Sequence, residues 1–362
     1  MTNKIKNLTL ITLLAALAAC GGSNDIEEIA AEEAATEEVV AETGDSDAIT
    51  ETASEVVTTL ADVNGFNIVA NIRNPRTDAY GTEVEITAFV KDHSNNWVKD
   101  GTVVTFVADD HGGIPNQCAT TDGRCTVIWV SNEDRTEGYA SNSLDRSADE
   151  LVTIMGRTIG EDSFIDKDGD SKFDTNEVFM SQSEPFLDAN DNQTYDAGTD
   201  NFDERMDFNG NGLFDETSTL FRGESCSDGA VAAGHCASKV EVWDTVRLIA
   251  SVAGDVNINF NDCSNNVLTN INVAAATQYC ITLTDSNGNT PPIGTAFTAT
   301  ADSVDIDIAP IAEIPDTNDF DGYDTIIQLK PATNSATGTL ILKAVGVDNT
   351  ASYLTINVTD AD

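Results

Sequence analysis

A duplicated turn constrains this chain more than any other feature. A run ending in Asp, an Asn-rich turn and a Gly-Thr that opens the next run occur as Asp92-His-Ser-Asn-Asn-Trp-Val-Lys-Asp-Gly-Thr102. They recur as Asp285-Ser-Asn-Gly-Asn-Thr-Pro-Pro-Ile-Gly-Thr295. One constant offset aligns Asp92 with Asp285, Asn96 with Asn289, Gly101 with Gly294, Thr102 with Thr295 and Thr105 with Thr298. The flanking residues alternate, as in Glu83-Val-Glu-Ile-Thr-Ala-Phe-Val90 and Thr102-Val-Val-Thr-Phe-Val107. A period of two puts apolar side chains on one face, the pattern of a half-buried strand. Similar short runs at 126–130, 151–155, 246–250, 278–284, 325–329, 339–345 and 353–358 are bounded by Gly, Asn, Asp or Pro. Such runs with few helical periods predict an all-β chain of two related antiparallel β-sandwiches.

Composition divides the chain. Residues 20–62 contain no aromatic residue, no lysine and no arginine, and their Ala, Glu, Thr and Val content predicts a disordered acidic tether. Residues 63–256 and 257–362 then form the two sandwiches, the first interrupted by a loop-rich insertion over 160–238. The strand, Asp, turn, Gly-Thr pattern, followed by Ala119-Thr-Thr-Asp-Gly-Arg-Cys-Thr-Val127, resembles bacterial immunoglobulin-like domains of the invasin and intimin type. The resemblance spans about 63–160 with 239–256, and less fully 257–362. It implies an Ig-like fold and an adhesive or stalk role, and it supplies no catalytic residues.

At the start of the chain, Lys4 and Lys6 precede an apolar run from Leu8 to Ala19 that is too short to span a bilayer. The run ends in Leu17-Ala18-Ala19-Cys20, which resembles the lipobox of bacterial lipoproteins. That resemblance implies a signal peptide over 1–19 and a diacylglycerol on Cys20, so the membrane is a partner through the lipid anchor. Gly21, in place of the aspartate that signals inner-membrane retention, implies the outer membrane, on either its periplasmic or its cell-surface face.

Of seven cysteines, six remain after the lipidated one, an even number in an exported chain. Sequence order suggests the local pairs Cys118 with Cys125, Cys226 with Cys236, and Cys263 with Cys280. A zinc site is the rival, but close cysteine or histidine pairs are absent, and His93, His111 and His235 are scattered. The loop from Thr120 to Gly123 would set Cys118 directly opposite Cys125 across a hairpin.

The formal charge of −44, from 62 acidic and 18 basic residues, repels nucleic acid and attracts cations. The insertion concentrates the oxygen donors. Asp166, Asp168, Asp170, Asp174 and Glu177 hold positions 1, 3, 5, 9 and 12 of an EF-hand loop, with Lys172 giving its carbonyl at position 7. Ser171 stands at position 6, where glycine is usual. Two shorter copies follow: Asp188, Asn190, Asn192 and Asp196, then Asp207, Asn209, Asn211 and Asp215. Position 8 is aromatic each time, as Phe173, Tyr195 and Phe214, and Ile165, Leu187 and Met206 precede the loops. Thr199 and Ser218 replace the bidentate glutamate, so Asp200 or Glu216 must substitute, or neighbouring loops must share ligands. The loop starts lie too close for helix-loop-helix pairs, and the region resembles dockerin loops or thrombospondin type-3 repeats. That resemblance implies structural calcium, which so many protein oxygens favour over magnesium.

No nucleophile elbow, zinc-protease helix or phosphate loop is present, and the expected class is non-enzymatic. The leading function is adhesion or surface binding through the Ig-like domains, toward an unidentified protein or glycan. The alternatives are a carbohydrate-binding or hydrolase-associated surface protein, and a passive spacer. Trp97, Trp129 and Trp243 are candidates for a sugar platform or, more economically, for packing beside strands.

Overall fold

Alternation in the sequence becomes alternation of burial: along Glu83–Val90 the residues Val84, Ile86, Ala88 and Val90 point inward, and along Arg124–Ser131 so do Cys125, Val127, Trp129 and Ser131. A computed structural model describes residues 60–108, 112–132, 151–188, 194–197, 200, 206–332 and 336–361. The expected signal peptide 1–19, Cys20, the tether up to residue 59, Asn190 and Asn192 lie outside the described residues.

The first sandwich contains β1 (Ala61–Asp62), β2 (Phe66–Ala70), β3 (Glu83–Val90), β4 (Val103–Ala108), β5 (Gly112–Gly113), β6 (Gln117–Ala119), β7 (Arg124–Ser131) and β8 (Leu151–Glu161). The insertion carries β9 (Ser163–Phe164), β10 (Phe179–Met180), β11 (Phe221–Arg222), α1 (Asp228–Ala232) and β12 (Cys236–Ala237), and β13 (Val240–Ile249) returns to the sandwich. One sheet runs β2-β3-β7-β5; the facing sheet holds β6, β4 and β8 with β13 beyond, and β1 runs parallel to the end of β8. The core between them is built from Val84, Ile86, Val104, Trp129, Ile154, Val242 and Leu248 among others. Strands β8 and β13 are longer than the runs 151–155 and 246–250 suggest, pairing from Leu151↔Ile249 to Gly160↔Val240. The insertion therefore replaces the turn of one long hairpin.

The second sandwich has β14 (Asn257–Asn261), β15 (Asn270–Val273), β16 (Thr277–Thr284), β17 (Ala296–Ala301), β18 (Val304–Ile308), β19 (Tyr323–Pro331), β20 (Thr337–Val345) and β21 (Ala351–Asp360). Its sheets run β14-β16-β19-β18 and β15-β21-β20-β17 around a separate core that includes Phe260, Ile281, Phe297, Leu342 and Ile356. Both sandwiches are mainly antiparallel and Ig-like.

The duplicated turn adopts the same hydrogen bonding twice. Asp92 Oδ1 accepts the Asn96 amide at 2.8 Å, and Asp285 Oδ1 accepts the Asn289 amide at 2.9 Å. Gly101 and Gly294 sit at φ 88° and 87°, a left-handed conformation that glycine adopts without a Cβ clash. Where the sandwiches meet, the fully buried Asn74 donates to the carbonyls of Pro291 and Pro315, both at 3.2 Å, and accepts from the Thr317 amide. Ser251 donates to the Thr290 carbonyl at 2.8 Å, and the Val252 amide donates to Asp285 at 2.8 Å. These bonds pair the buried Asn74 and Ser251 across the joint with protein partners.

Disulfides join Cys118 to Cys125, Cys226 to Cys236 and Cys263 to Cys280. The first differs from the expected cross-strand bridge. Cys118 on β6 faces Val104 of β4, whereas Cys125 on β7 faces Ala88 of β3, so the two cysteines belong to opposite sheets. The turn at 120–123 is a corner between sheets, and the bridge, with Cα atoms 6.0 Å apart, staples them at one edge of the core.

Candidate metal centre

The first acidic loop is organised by its own side chains. Asp166 accepts the amides of Gly169 at 2.7 Å and Ser171 at 2.9 Å, and Asp170 accepts the Lys172 amide at 2.8 Å. Ser171 takes φ 62°, so serine adopts the left-handed turn that position 6 demands. The buried Glu177 spans the loop: Oε1 accepts the Lys167 amide at 2.6 Å and Oε2 the Asp174 amide at 3.0 Å. Carboxylate oxygens of Asp166, Asp168 and Glu177 lie within 4.8 Å of one another, as do those of Asp168, Asp170 and Asp174. The backbone amides of Gly169 and Ser171 hold Asp166 below the ordinary carboxylate range. Asp168 is drawn down by the Asp170 amide, yet desolvation and the charges of Asp170, Asp174 and Asp166 outweigh that and push it up. Such crowding is relieved by a bound cation.

The third loop repeats this arrangement with a glutamate from elsewhere. Asp207 accepts the Gly210 and Gly212 amides, both at 2.6 Å, as Asp166 accepts those of Gly169 and Ser171. Asn211 accepts the Leu213 amide at 2.6 Å, matching Asp170 and Lys172. The position of Glu177 is taken by Glu184: Oε1 accepts the Phe208 amide and Oε2 the Asp215 amide, each at 3.0 Å. Glu184 is only 3% exposed. Burial raises its pKa against those two amides, and the charges of Asp215 and Asp207 add to the rise. Glu216, the expected substitute, is exposed and turned to a neighbouring cleft. Glu184 precedes even the second loop, so no spacing rule applied to the third loop finds it.

In the second loop Asp200, 5% exposed, accepts the Asp196 amide at 2.5 Å, the link that Glu177 makes to Asp174. Asp188 lies 3.8 Å from Arg247 on β13. Asn190 and Asn192 are not among the described residues.

Aromatic residues at position 8 seat the loops, two of them against the sandwich and Phe173 inside the insertion. Tyr195 and Phe214 stack with centroids 4.0 Å apart, and Phe186 meets both edge-on as well as Trp243 of β13. Phe173 stacks on Phe221 at 4.7 Å inside a cluster closed by Phe164, Phe179 and the Cys226–Cys236 bridge. Leu187 and Met206 are buried against Met155, but Ile165 is 63% exposed and contributes to no core. Of the three tryptophans, Trp129 is fully buried, Trp243 donates from Nε1 to the Ser183 carbonyl at 2.9 Å, and Trp97 is 41% exposed beside Lys91 and Arg124.

Polar clamps anchor the insertion where it leaves the sandwich. The fully buried Asp162 receives Arg222 at 2.9 Å, and Arg222 also donates to Ser181 and the Gln182 carbonyl. Glu161 accepts the amides of Glu224 and Ser225, the Ser225 hydroxyl at 2.7 Å and His93 Nδ1 at 3.2 Å. Hydrogen bonding to Glu161 raises the pKa of His93, with the charges of Glu161, Asp92 and Asp62 assisting against burial.

No family model matches the chain, and no curated protein does. Among solved structures, the Yersinia pseudotuberculosis adhesin InvE aligns at 9% identity over 83% of this chain and 60% of that one, with a TM-score of 0.24. The D0–D1 domain of intimin aligns at 12% identity over 80% and 97%, with a TM-score of 0.24. The fibronectin(III)-like modules of Clostridium thermocellum CbhA align at 10% over 81% and 93%, with a TM-score of 0.26. The chain thus spans about three fifths of the InvE structure. Scores of this size add no functional argument, and the fold rests on the strand order and the two cores.

Proposed function

We propose that this chain is a lipid-anchored protein of the outer membrane, whose Ig-like sandwiches present a calcium-stabilised insertion as a binding surface for adhesion. The observation that carries the calcium reading is the twofold use of one device: Glu177 and Glu184 each brace the position 2 and position 9 amides of an oxygen-rich loop. In the first site Asp166, Asp168, Asp170, the Lys172 carbonyl, Asp174 and Glu177 would hold the ion; in the third, Asp207, Asn209, Asn211, Asp215 and Glu184 would. A hard cation with six to eight oxygen ligands suits both sets. Calcium here is structural, neutralising carboxylates that otherwise repel one another and coupling binding to order in the insertion.

A non-catalytic role fits the polar clusters. Ser225 and His93 both bond to Glu161 rather than to each other, and the His93 side chain is only 8% exposed. The Leu17-Ala18-Ala19-Cys20 run supports the lipid anchor.

Calorimetry and limited proteolysis of the mature chain, with calcium and with chelator, test the calcium reading. Dissociation constants of about 0.1–1 mM are expected, with 162–239 cut only in chelator. No binding at millimolar calcium, or equal protection in chelator, overturns it.

A further inference from the structure

We infer that the cleft between the third loop and β13 binds an uncharged saccharide. The inference rests on the reading of this chain as a surface-binding protein and names the chemistry of its ligand. The cleft has a volume of about 440 Å³, inside the range of about 300–1,000 Å³ usual for small-molecule sites. Phe208, Glu216, Thr217 and Thr219 line it together with Ser238, which lies between β12 and β13. Among the described residues, the side chains of Glu216, Thr217, Thr219 and Ser238 make no intramolecular hydrogen bond, so their capacity is unspent. Phe208 leaves 39% of its surface exposed beside them.

Each rival ligand class meets a specific cost. An anion would face Glu184, Asp215, Glu216 and Glu241, while Arg222 is spent on Asp162, Ser181 and Gln182, and Lys239 on Glu224 at 2.6 Å. An apolar ligand would strip water from three hydroxyls and a carboxylate without replacing its hydrogen bonds. A cation is already assigned to Asn209, Asp215 and Glu184 of this lining, which leaves Glu216 and the three hydroxyls for a second ligand. A sugar ring suits the mixture: its hydroxyls donate to Glu216 and exchange hydrogen bonds with Thr217, Thr219 and Ser238. Its C–H face lies against the Phe208 ring.

The test uses the mature chain in millimolar calcium on an array of neutral oligosaccharides of glucose, galactose, mannose and N-acetylglucosamine, followed by calorimetry of whatever is retained. Retention of at least one series is expected, with Phe208→Ala and Glu216→Gln each weakening it about tenfold. Neither variant should shift thermal unfolding, because both side chains are exposed and Phe208→Ala keeps the amide that Glu184 accepts. No retained oligosaccharide, or variants that bind as the parent does, overturns the site. A sugar bound equally in chelator keeps the site as one independent of calcium, whose reading falls only by its own calorimetry and proteolysis; calcium binding without any sugar removes only the site.

Discussion

The two sandwiches close the same hairpin in opposite ways. Between β20 and β21 the chain turns over 346–350, where Asp348 accepts the Thr350 amide and hydroxyl and Asn349 takes φ 70°. Between β8 and β13 the same position opens into 162–239, which buries two small apolar clusters and a series of carboxylates. The short turn satisfies its polar groups locally and needs nothing else. The long one relies on buried charges held by distant backbone amides, and its stability is tied to whatever neutralises them. The sandwich tolerates either solution because its core lies between the sheets and the hairpin end is outside it.

The most severe way to break the comparison is to graft 346–350 in place of 162–239. The grafted chain should keep both sandwiches folded and lose all calcium binding, as read by thermal unfolding and calorimetry; a chain that fails to fold would make the insertion part of the core. A smaller change is Asp162→Ala, which leaves Arg222 without its buried partner. A loss of about 3–5 kcal/mol is expected, confined to the insertion and visible as earlier proteolysis of 162–239 while the second sandwich holds.

Finer still is the pair Glu177→Gln and Glu184→Gln. Each variant should lower the number of calcium ions bound by one. If Glu184→Gln left the stoichiometry intact, Glu184 would be a structural brace alone. The smallest effect is on pH. The folded-state pKa of His93 is raised by Glu161, so the stabilisation it contributes is complete below its unfolded value of about 6.5 and is lost as pH rises through the folded value. The groups facing it are Glu161, Asp92 and Asp62, with Ser225 and the ring of Phe164 packed on the same cluster. Asp62 is itself raised, chiefly by burial, so its contribution is lost in a separate, more acidic window as pH rises from its unfolded value. Chemical denaturation of His93→Gln against the parent between pH 4 and 9 should abolish the upper slope and leave the acidic one.

Local spacing in the sequence was enough to locate β3, β4, β7, β16, β19, β20 and β21 and part of β8 and β13, the duplicated Asp, Asn and Gly-Thr turn, and the carboxylate order of the first loop. Each is set by a period of two or by backbone bonds spanning a few residues, and these repeat wherever the same side chains occur. The three cysteine pairs were also legible from order along the chain. Only the tertiary structure decided that Cys118 and Cys125 staple opposite sheets, because sheet membership depends on which strand each cysteine's neighbours pair with. It alone decided that Asp200 braces the second loop and Glu184 the third, leaving Glu216 to line a cleft. It also brought Glu161, His93 and Ser225 into one cluster. Except for Asp200 and Asp196, four residues apart, those partners are distant in sequence and meet because β8 and β13 pair over their whole lengths. Long-range pairing follows from packing the whole core, and no local window of residues encodes it.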